Sequence, residues 1–568
     1  MIKKKIFFDI FTISFALCVI MLGLYALHFG ISPVDESYYV SIPYGFALGN
    51  RPFIDEYALT QISSFYVVPF FRYYLHTHGS PEGIILFSRY VYFFSTIIFA
   101  TAMTLIFRKI TDLRSAILLS LPCIAFVFGN LYVLSYDTQA LMFSTVGYFL
   151  GVLAINEFES SLSIHTYKHF SKTGLIVFLA GFFHAQMIIS YPTLIFVPIV
   201  FVFCLMHFLP KKTTFIVYLS GIIIGSLWLL PILIHAGWHN LLVDWHYTKT
   251  IAMQSGLHKL EDLVTKQHWF FIFISLVLFL LCITLLTFFT YRFRKNKKIE
   301  YLLPWIGPVA LLILLIPAAY SIKNWNSAGI ILISTLSVLG PLLYFLVKEK
   351  NSKLVFQLLI VVWLPSFLAG ILTTLSSNDF IWSSPIGLFP GALVTLFYMM
   401  LLGKNENKGS LTISFMFILP LIIFIGILEY YDLKFTFQDL PIAFLHSKVK
   451  IGPFKGLYTT EQSKNYYTQL TNDIESLSKP GENILYENFC GGSFFSMMKT
   501  INPGVRLFSI THNIVLEPKE RNPDLIVKIL YLPVAGPNTE VIPTTNDYIT
   551  EKYRLVLYRK QYEIFQRN

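Results

Sequence analysis

Uninterrupted apolar stretches of roughly 17 to 25 residues recur along most of this chain, and that one feature leaves few folds open. At 1.5 Å per residue, one such stretch crosses the ~30 Å hydrocarbon layer of a bilayer as a helix. Bare amides find no water there, so only helices and closed barrels can span it. The stretches are continuous and do not alternate as barrel strands do, which predicts helical spans. They lie near 6–29, 83–107, 115–132, 137–155, 173–190, 191–209, 213–236, 268–290, 301–320, 328–347, 354–376, 386–403 and 411–430, thirteen in all. The fifth and sixth meet at Ser190-Tyr191-Pro192 with almost no connection. Only 13% of the 568 residues are charged, where a soluble chain carries about a quarter. The opening MIKKKIFF has the basic character of a signal peptide. The apolar run behind it is long and lacks a small-residue cleavage pattern, so it is read as a retained first helix.

The formal charge of +11 says less than its distribution does. With the N-terminus inside, the connections assigned to the cytoplasm hold 20 Lys and Arg, from Lys3 to Lys408. The opposite connections hold 6: Arg51, Arg72, Lys249, Lys259, Lys266 and Lys323. Positive residues follow the cytoplasmic side, so this bias predicts an outward loop 30–82, an outward loop 237–267 and an outward C-terminal segment. Nothing in this pattern implies nucleic acid as a partner. Cys18, Cys123, Cys204 and Cys282 fall inside apolar spans and Cys490 stands alone, so no disulfide or thiolate metal site is expected.

Residues 1–430 are thus read as a transmembrane domain and 431–568 as a separate extracytoplasmic α/β domain, since composition there turns soluble. Thr459-Thr460-Glu461-Gln462 offers a helix start, with Tyr466, Leu470, Ile474 and Leu477 at helical period and Pro480-Gly481 as the stop. NILYE, DLIVKILYL and YRLVLYRK read as strands. Gly491-Gly492 is too short a signal for a phosphate-binding loop.

The first outward loop concentrates chemistry-bearing residues. It carries Asp35-Glu36 and Asp55-Glu56 among tyrosines suited to a membrane interface. Asp137 opens the fourth span, where an acidic residue is also a common helix cap. Arg89 lies about two turns into the second span, and a cation so placed faces a cavity, a partner or the nearby interface. His184 and Gln186 in GFFHAQM fit hydrogen-bonded packing residues. His235, His239, His258 and His268 crowd the second outward loop without the HxxxH or HExxH spacing of a zinc site. Lys323, Asn324 and Trp325 either line a site or cap an outer turn.

An N-terminal helix followed by an Asp-Glu pair, the segment GNRPFIDEYALTQ, thirteen predicted spans and an outward C-terminal domain resemble the C-type glycosyltransferase superfamily (GT-C). The chain is most similar to bacterial relatives of protein O-mannosyltransferases and of the lipid A aminoarabinose transferase. The motif-level match is confined to about the first 140 residues. The resemblance implies transfer of a sugar from a polyprenyl-phosphate carrier to a glycan, lipid or protein acceptor at the outer face. It implies that Asp35 is the catalytic acidic residue with Glu36 beside it, and that Asp137 is a second acid of the site. It further implies a divalent metal held by Glu56 and His246, although the surrounding residues depart from the family's pattern at both positions. Arg89 and Lys249 are the candidates for binding the donor phosphate, where negative charge develops as the carrier leaves. Two other classes stay open: a transporter or flippase of lipid-linked saccharide, and a non-catalytic protein that binds cell-envelope polymer.

Overall fold

A computed structural model describes residues 2–33, 35–54, 61–162, 167–242, 245, 327–347, 352–377, 380–403, 418–434, 436, 438–479, 482, 484–487, 524–530 and 552–568. The chain is a largely helical, polytopic membrane protein with a small sheet at its C-terminal end. Among the described residues, eight helical segments are long and apolar enough to cross a bilayer, and two shorter apolar segments, Pro192–Phe208 and Gly329–Phe345, accompany them. The expected spans 268–290 and 301–320 lie outside the described residues.

The first half comprises α1 (Ile2–Ala26), α2 (Asp35–Leu48), α3 (Val68–His78), α4 (Ile84–Phe107), α5 (Leu113–Ser120), α6 (Pro122–Ala125), α7 (Tyr136–Leu162), α8 (Tyr167–Ser190), α9 (Val197–Phe208) and α10 (Lys211–Ser226). The span expected at 115–132 is not one helix. Pro122 has no amide proton to continue α5, Phe126 and Val127 are extended, and Gly129 and Asn130 take positive φ. The close approach expected at Ser190-Tyr191-Pro192 is present: α8 stops at Ser190, and a single 3₁₀ segment, Pro192–Phe196, leads into α9. Apolar helix continues past α10 to Leu242, beyond the expected end at 236.

The second half contains α11 (Ser327–Val347), α12 (Ser352–Gln357), a π-helical turn at Leu358–Trp363, α13 (Leu364–Ser376), α14 (Ser384–Gly403) and α15 (Leu419–Lys434). Within the bundle, α8 and α10 pack through glycines. A Cβ on Gly221 would lie 2.1 Å from the Phe178 carbonyl oxygen, and one on Gly181 2.2 Å from that of Tyr218. Lipid tails are as apolar as leucine, so such helices associate through close van der Waals fit, and small residues permit it.

The two ends of the bundle differ in kind. At one end, basic connection residues meet acids: Arg114 with Asp9 at 2.5 Å, Lys172 with Glu157 at 2.7 Å and Lys353 with Glu159 at 2.9 Å. At the other end lie the first loop and the C-terminal segment, and they share one core. Val40, Phe71, Ile84 and Ile85 pack in the same cluster as Phe454, Leu457, Tyr467 and Ile564. Backbone pairing ties them further, with the Tyr458 amide donating to the His28 carbonyl at 2.7 Å and the Gly83 amide to the Gly452 carbonyl at 3.0 Å.

The C-terminal segment forms α16 (Glu461–Leu477), a two-stranded ribbon β1 (Ser447–Lys448) and β2 (Tyr458–Thr459), and a four-stranded sheet. In that sheet β3 (Ile484–Glu487) runs parallel to β4 (Leu525–Ile529), and β6 (Tyr562–Arg567) joins β4 and β5 (Tyr553–Tyr558) antiparallel. The three expected strands are present. The helix begins one residue later than its capping pattern suggested, because Thr460 is the cap and its hydroxyl accepts from the Ser463 amide at 3.1 Å. It ends at Leu477, short of Pro480-Gly481. The pair β1–β2 and strand β6 were not foreseen; β1 and β2 have two residues each, too short for periodicity to stand out.

Because carbonyl oxygens occupy the space that a side chain at Gly221 would need, Gly221→Ala is expected to destabilise the bundle by about 1–3 kcal/mol. Thermal unfolding in detergent measures it, with Gly174→Ala as the control, since a Cβ there meets nothing within 4 Å.

Candidate functional site

Arg89 is the centre of the end where the first loop and the C-terminal segment meet. All five of its N–H groups are used: Nε donates to Glu36 Oε1 at 2.6 Å and Nη2 to Glu36 Oε2 at 2.7 Å. Nη1 donates to the Leu27 and Phe29 carbonyls at 2.7 and 2.9 Å, and Nη2 also donates to the Gly30 carbonyl at 2.8 Å. Both side chains are almost wholly buried, Glu36 at 1% and Arg89 at 3% exposure. Those carbonyls belong to the turn that follows the C-terminal end of α1, where a cation is favoured, and Glu36 lies in the first turn of α2, where an anion is favoured. The pair therefore joins two helix ends of opposite polarity. In this arrangement every Arg89 N–H and both Glu36 carboxylate oxygens are engaged within the chain.

Asp35 differs from its neighbour. It is half-buried, and its Oδ2 accepts from Gln438 Nε2 at 3.2 Å. Gln438 follows α15, adopts a left-handed φ of 60°, and accepts from Ser32 Oγ at 2.8 Å through its own carbonyl. Beside it, buried Asp439 accepts from the Ile31 amide at 3.0 Å, the Thr459 hydroxyl at 2.7 Å and the Leu440 amide at 2.8 Å. Burial pushes the Asp439 carboxyl above its ordinary range despite these bonds. Residues 438–439, some 400 positions away in sequence, thus fix the backbone just before Asp35. Sequence reading missed both, since neither belongs to a local motif.

Asp137 lies in the first turn of α7 and is buried. It is not the residue that caps the helix: Ser135 Oγ accepts from the Thr138 amide at 3.2 Å. Asp35 and Asp137 converge on Tyr39. Tyr39 is one helical turn beyond Asp35 on the same face of α2, and its ring lies 5.8 Å from that of Tyr136, the neighbour of Asp137. Desolvation, Asp137 and then Asp35 together push the Tyr39 phenol well above its ordinary range. The aromatic row continues from Tyr136 to Tyr191 at 5.5 Å. The arrangement offers two carboxylates and a neutral phenol at one end of a membrane bundle, a set that accepts protons and hydroxyl groups.

The first loop is anchored on the bundle by Tyr66, which donates to Gln186 and packs on Trp228 and Phe143. Gln186 also donates to the Gly225 carbonyl at 2.8 Å and accepts from Trp228 Nε1 at 3.1 Å, while His184 Nδ1 lies 2.6 Å from the Tyr218 hydroxyl. The packing roles expected for both hold. Glu56, His246 and Lys249 lie outside the described residues, as do Asp55 and Lys323. Among the described residues no group of three or more His, Cys, Asp or Glu forms a metal cluster. No protein-family model and no curated protein sequence matches this chain.

Glu36→Gln leaves a buried guanidinium without its counter-charge, and we expect a loss of about 3–5 kcal/mol. Arg89→Met should cost a similar amount, and the double variant less than the sum of the two. Denaturant or thermal unfolding of the four forms measures the coupling.

Proposed function

We propose that this chain is a membrane glycosyltransferase that moves a sugar from a polyprenyl-phosphate carrier to an acceptor hydroxyl at the extracytoplasmic face. One observation carries the reading: Asp35 and Asp137, 102 positions apart in sequence, converge on Tyr39 at the end of the bundle where the C-terminal segment docks. Sidedness follows from charge. Arg114, Lys172 and Lys353 belong to the opposite end, and the positive-inside rule assigns that end to the cytoplasm.

An acceptor hydroxyl is a weak nucleophile. Asp35 takes its proton as the oxygen attacks the anomeric carbon, a contribution typically worth about 10²- to 10⁴-fold. The new C–O bond forms opposite the carrier, the bond from the anomeric carbon to the phosphate oxygen breaks, and polyprenyl phosphate leaves with the electron pair. Configuration at the anomeric carbon inverts. Gln438 holds Asp35 through one oxygen, and Asp137 beside Tyr39 is suited to accept from sugar hydroxyls. Lys249 is the candidate for the leaving phosphate, because the donors of Arg89 are spent within the chain. A divalent metal, were Glu56 and His246 to hold one, would neutralise that phosphate; no step here runs through it.

Asp35→Asn removes the base and keeps the side chain's size. Purified in detergent and given a polyprenyl-phosphate sugar with an acceptor, this variant should lose about 10²- to 10⁴-fold in transfer rate while donor affinity changes little. Unchanged transfer would refute the assignment.

A further inference from the structure

Gln438 stands where its own backbone is disfavoured. Its φ of 60° is left-handed, a conformation that among the described non-glycine residues only Phe53 and Asn130 share with it. Glycine adopts that conformation freely, and asparagine tolerates it because its short side chain can bond locally; glutamine has neither advantage. The turn around it is held firmly. Asp439, the next residue, is buried and accepts from the Ile31 amide, the Thr459 hydroxyl and the Leu440 amide. A strained residue kept in place by surroundings that over-determine it points to a functional constraint.

What glutamine offers there, and glycine does not, is a long side chain that ends in a directed amide. The direction is set from α2. The Glu36 amide donates to Ser32 Oγ at 3.3 Å, and Ser32, at 1% exposure, donates in turn to Gln438 Oε1 at 2.8 Å. With its oxygen facing Ser32, the amide presents its nitrogen to Asp35, and Nε2 donates to Oδ2 at 3.2 Å. An ionised carboxylate only accepts, so the reverse orientation would set the amide oxygen against it. One side chain from the far end of the sequence thus spans both Ser32 and Asp35.

We propose that Gln438 is a positioning residue for sugar transfer, acting through Asp35: it fixes the rotation of that carboxylate toward the acceptor hydroxyl. The C-terminal segment thereby contributes to the chemistry as well as to the packing. This inference rests on the reading of Asp35 as the general base.

The test compares the wild type with Asp35→Asn, Gln438→Gly and Gln438→Glu, each as the full chain in detergent. The donor is the one that the wild type consumes from a panel of polyprenyl-phosphate sugars, given with a crude envelope acceptor fraction, and apparent kcat, donor KM and melting temperature are recorded. Gln438→Gly removes the amide but also the backbone strain, so its melting temperature should stay within about 3 °C of the wild type. Its kcat should nevertheless fall about 10- to 100-fold, with donor KM changed less than about twofold. Gln438→Glu keeps the reach and still accepts from Ser32, but it has no N–H for Asp35, and its kcat should fall at least as far. A role in folding alone would lower the melting temperature and leave the kcat of the folded protein unchanged. Wild-type kcat in both Gln438 variants, with Asp35→Asn inactive, would overturn this inference and leave the proposed function standing. Transfer unaffected by Asp35→Asn, or absent from the wild type, would overturn that function and this inference with it.

Discussion

The bidentate pair of Arg89 with Glu36 governs the arrangement of the end where the first loop meets the C-terminal segment. A helix that finishes at the membrane surface leaves carbonyls bare, and one that starts there leaves amides bare. Here a single guanidinium takes three carbonyls of the turn that follows α1, while its carboxylate partner sits at the start of α2. An isolated buried pair of this sort contributes little net stability. Its value is geometric, because the planar fork admits only one orientation of the two helix ends. With Glu36 fixed, its neighbour Asp35 leaves the pair and is held by Gln438.

The C-terminal segment is part of the same construction. It shares a core with the first loop, contributes a backbone bridge between Phe29 and Tyr458, and supplies the Lys455 to Glu82 ion pair at 2.6 Å. That last contact is solvent-exposed and counts for little; the shared apolar cluster and the buried Asp439 bonds carry the attachment. Residues 438–439 therefore set the position of residues 31–35 from the far end of the chain. A compositional boundary near 430 is real in the sequence, yet the packing runs across it.

Much of the fold was legible because hydropathy is a local signal of helix length. Ile6–Ala26, Ile84–Phe107 and Ser384–Leu401 lie where the apolar runs lie. The break at Pro122 was missed because hydropathy does not register a lost amide, although the proline itself was the clue. Within the site, Asp35 and Asp137 were named from the sequence, and their convergence on Tyr39 required the tertiary structure. Arg89 was singled out as a cation facing a cavity, a partner or the interface, and its partner was not readable: Glu36 is 53 residues away. Gln438 and Asp439 carry no local motif, and only the tertiary placement brings them to the first loop.

Sugar transfer from a lipid carrier is the claim on which the functional account turns. Its most direct measurement incubates the purified wild-type chain with a panel of polyprenyl-phosphate sugars and a crude envelope acceptor fraction, and follows each donor by mass spectrometry. The account predicts that one donor is consumed and that free polyprenyl phosphate accumulates in equal amount. Full recovery of every donor from a folded, monodisperse preparation would contradict it.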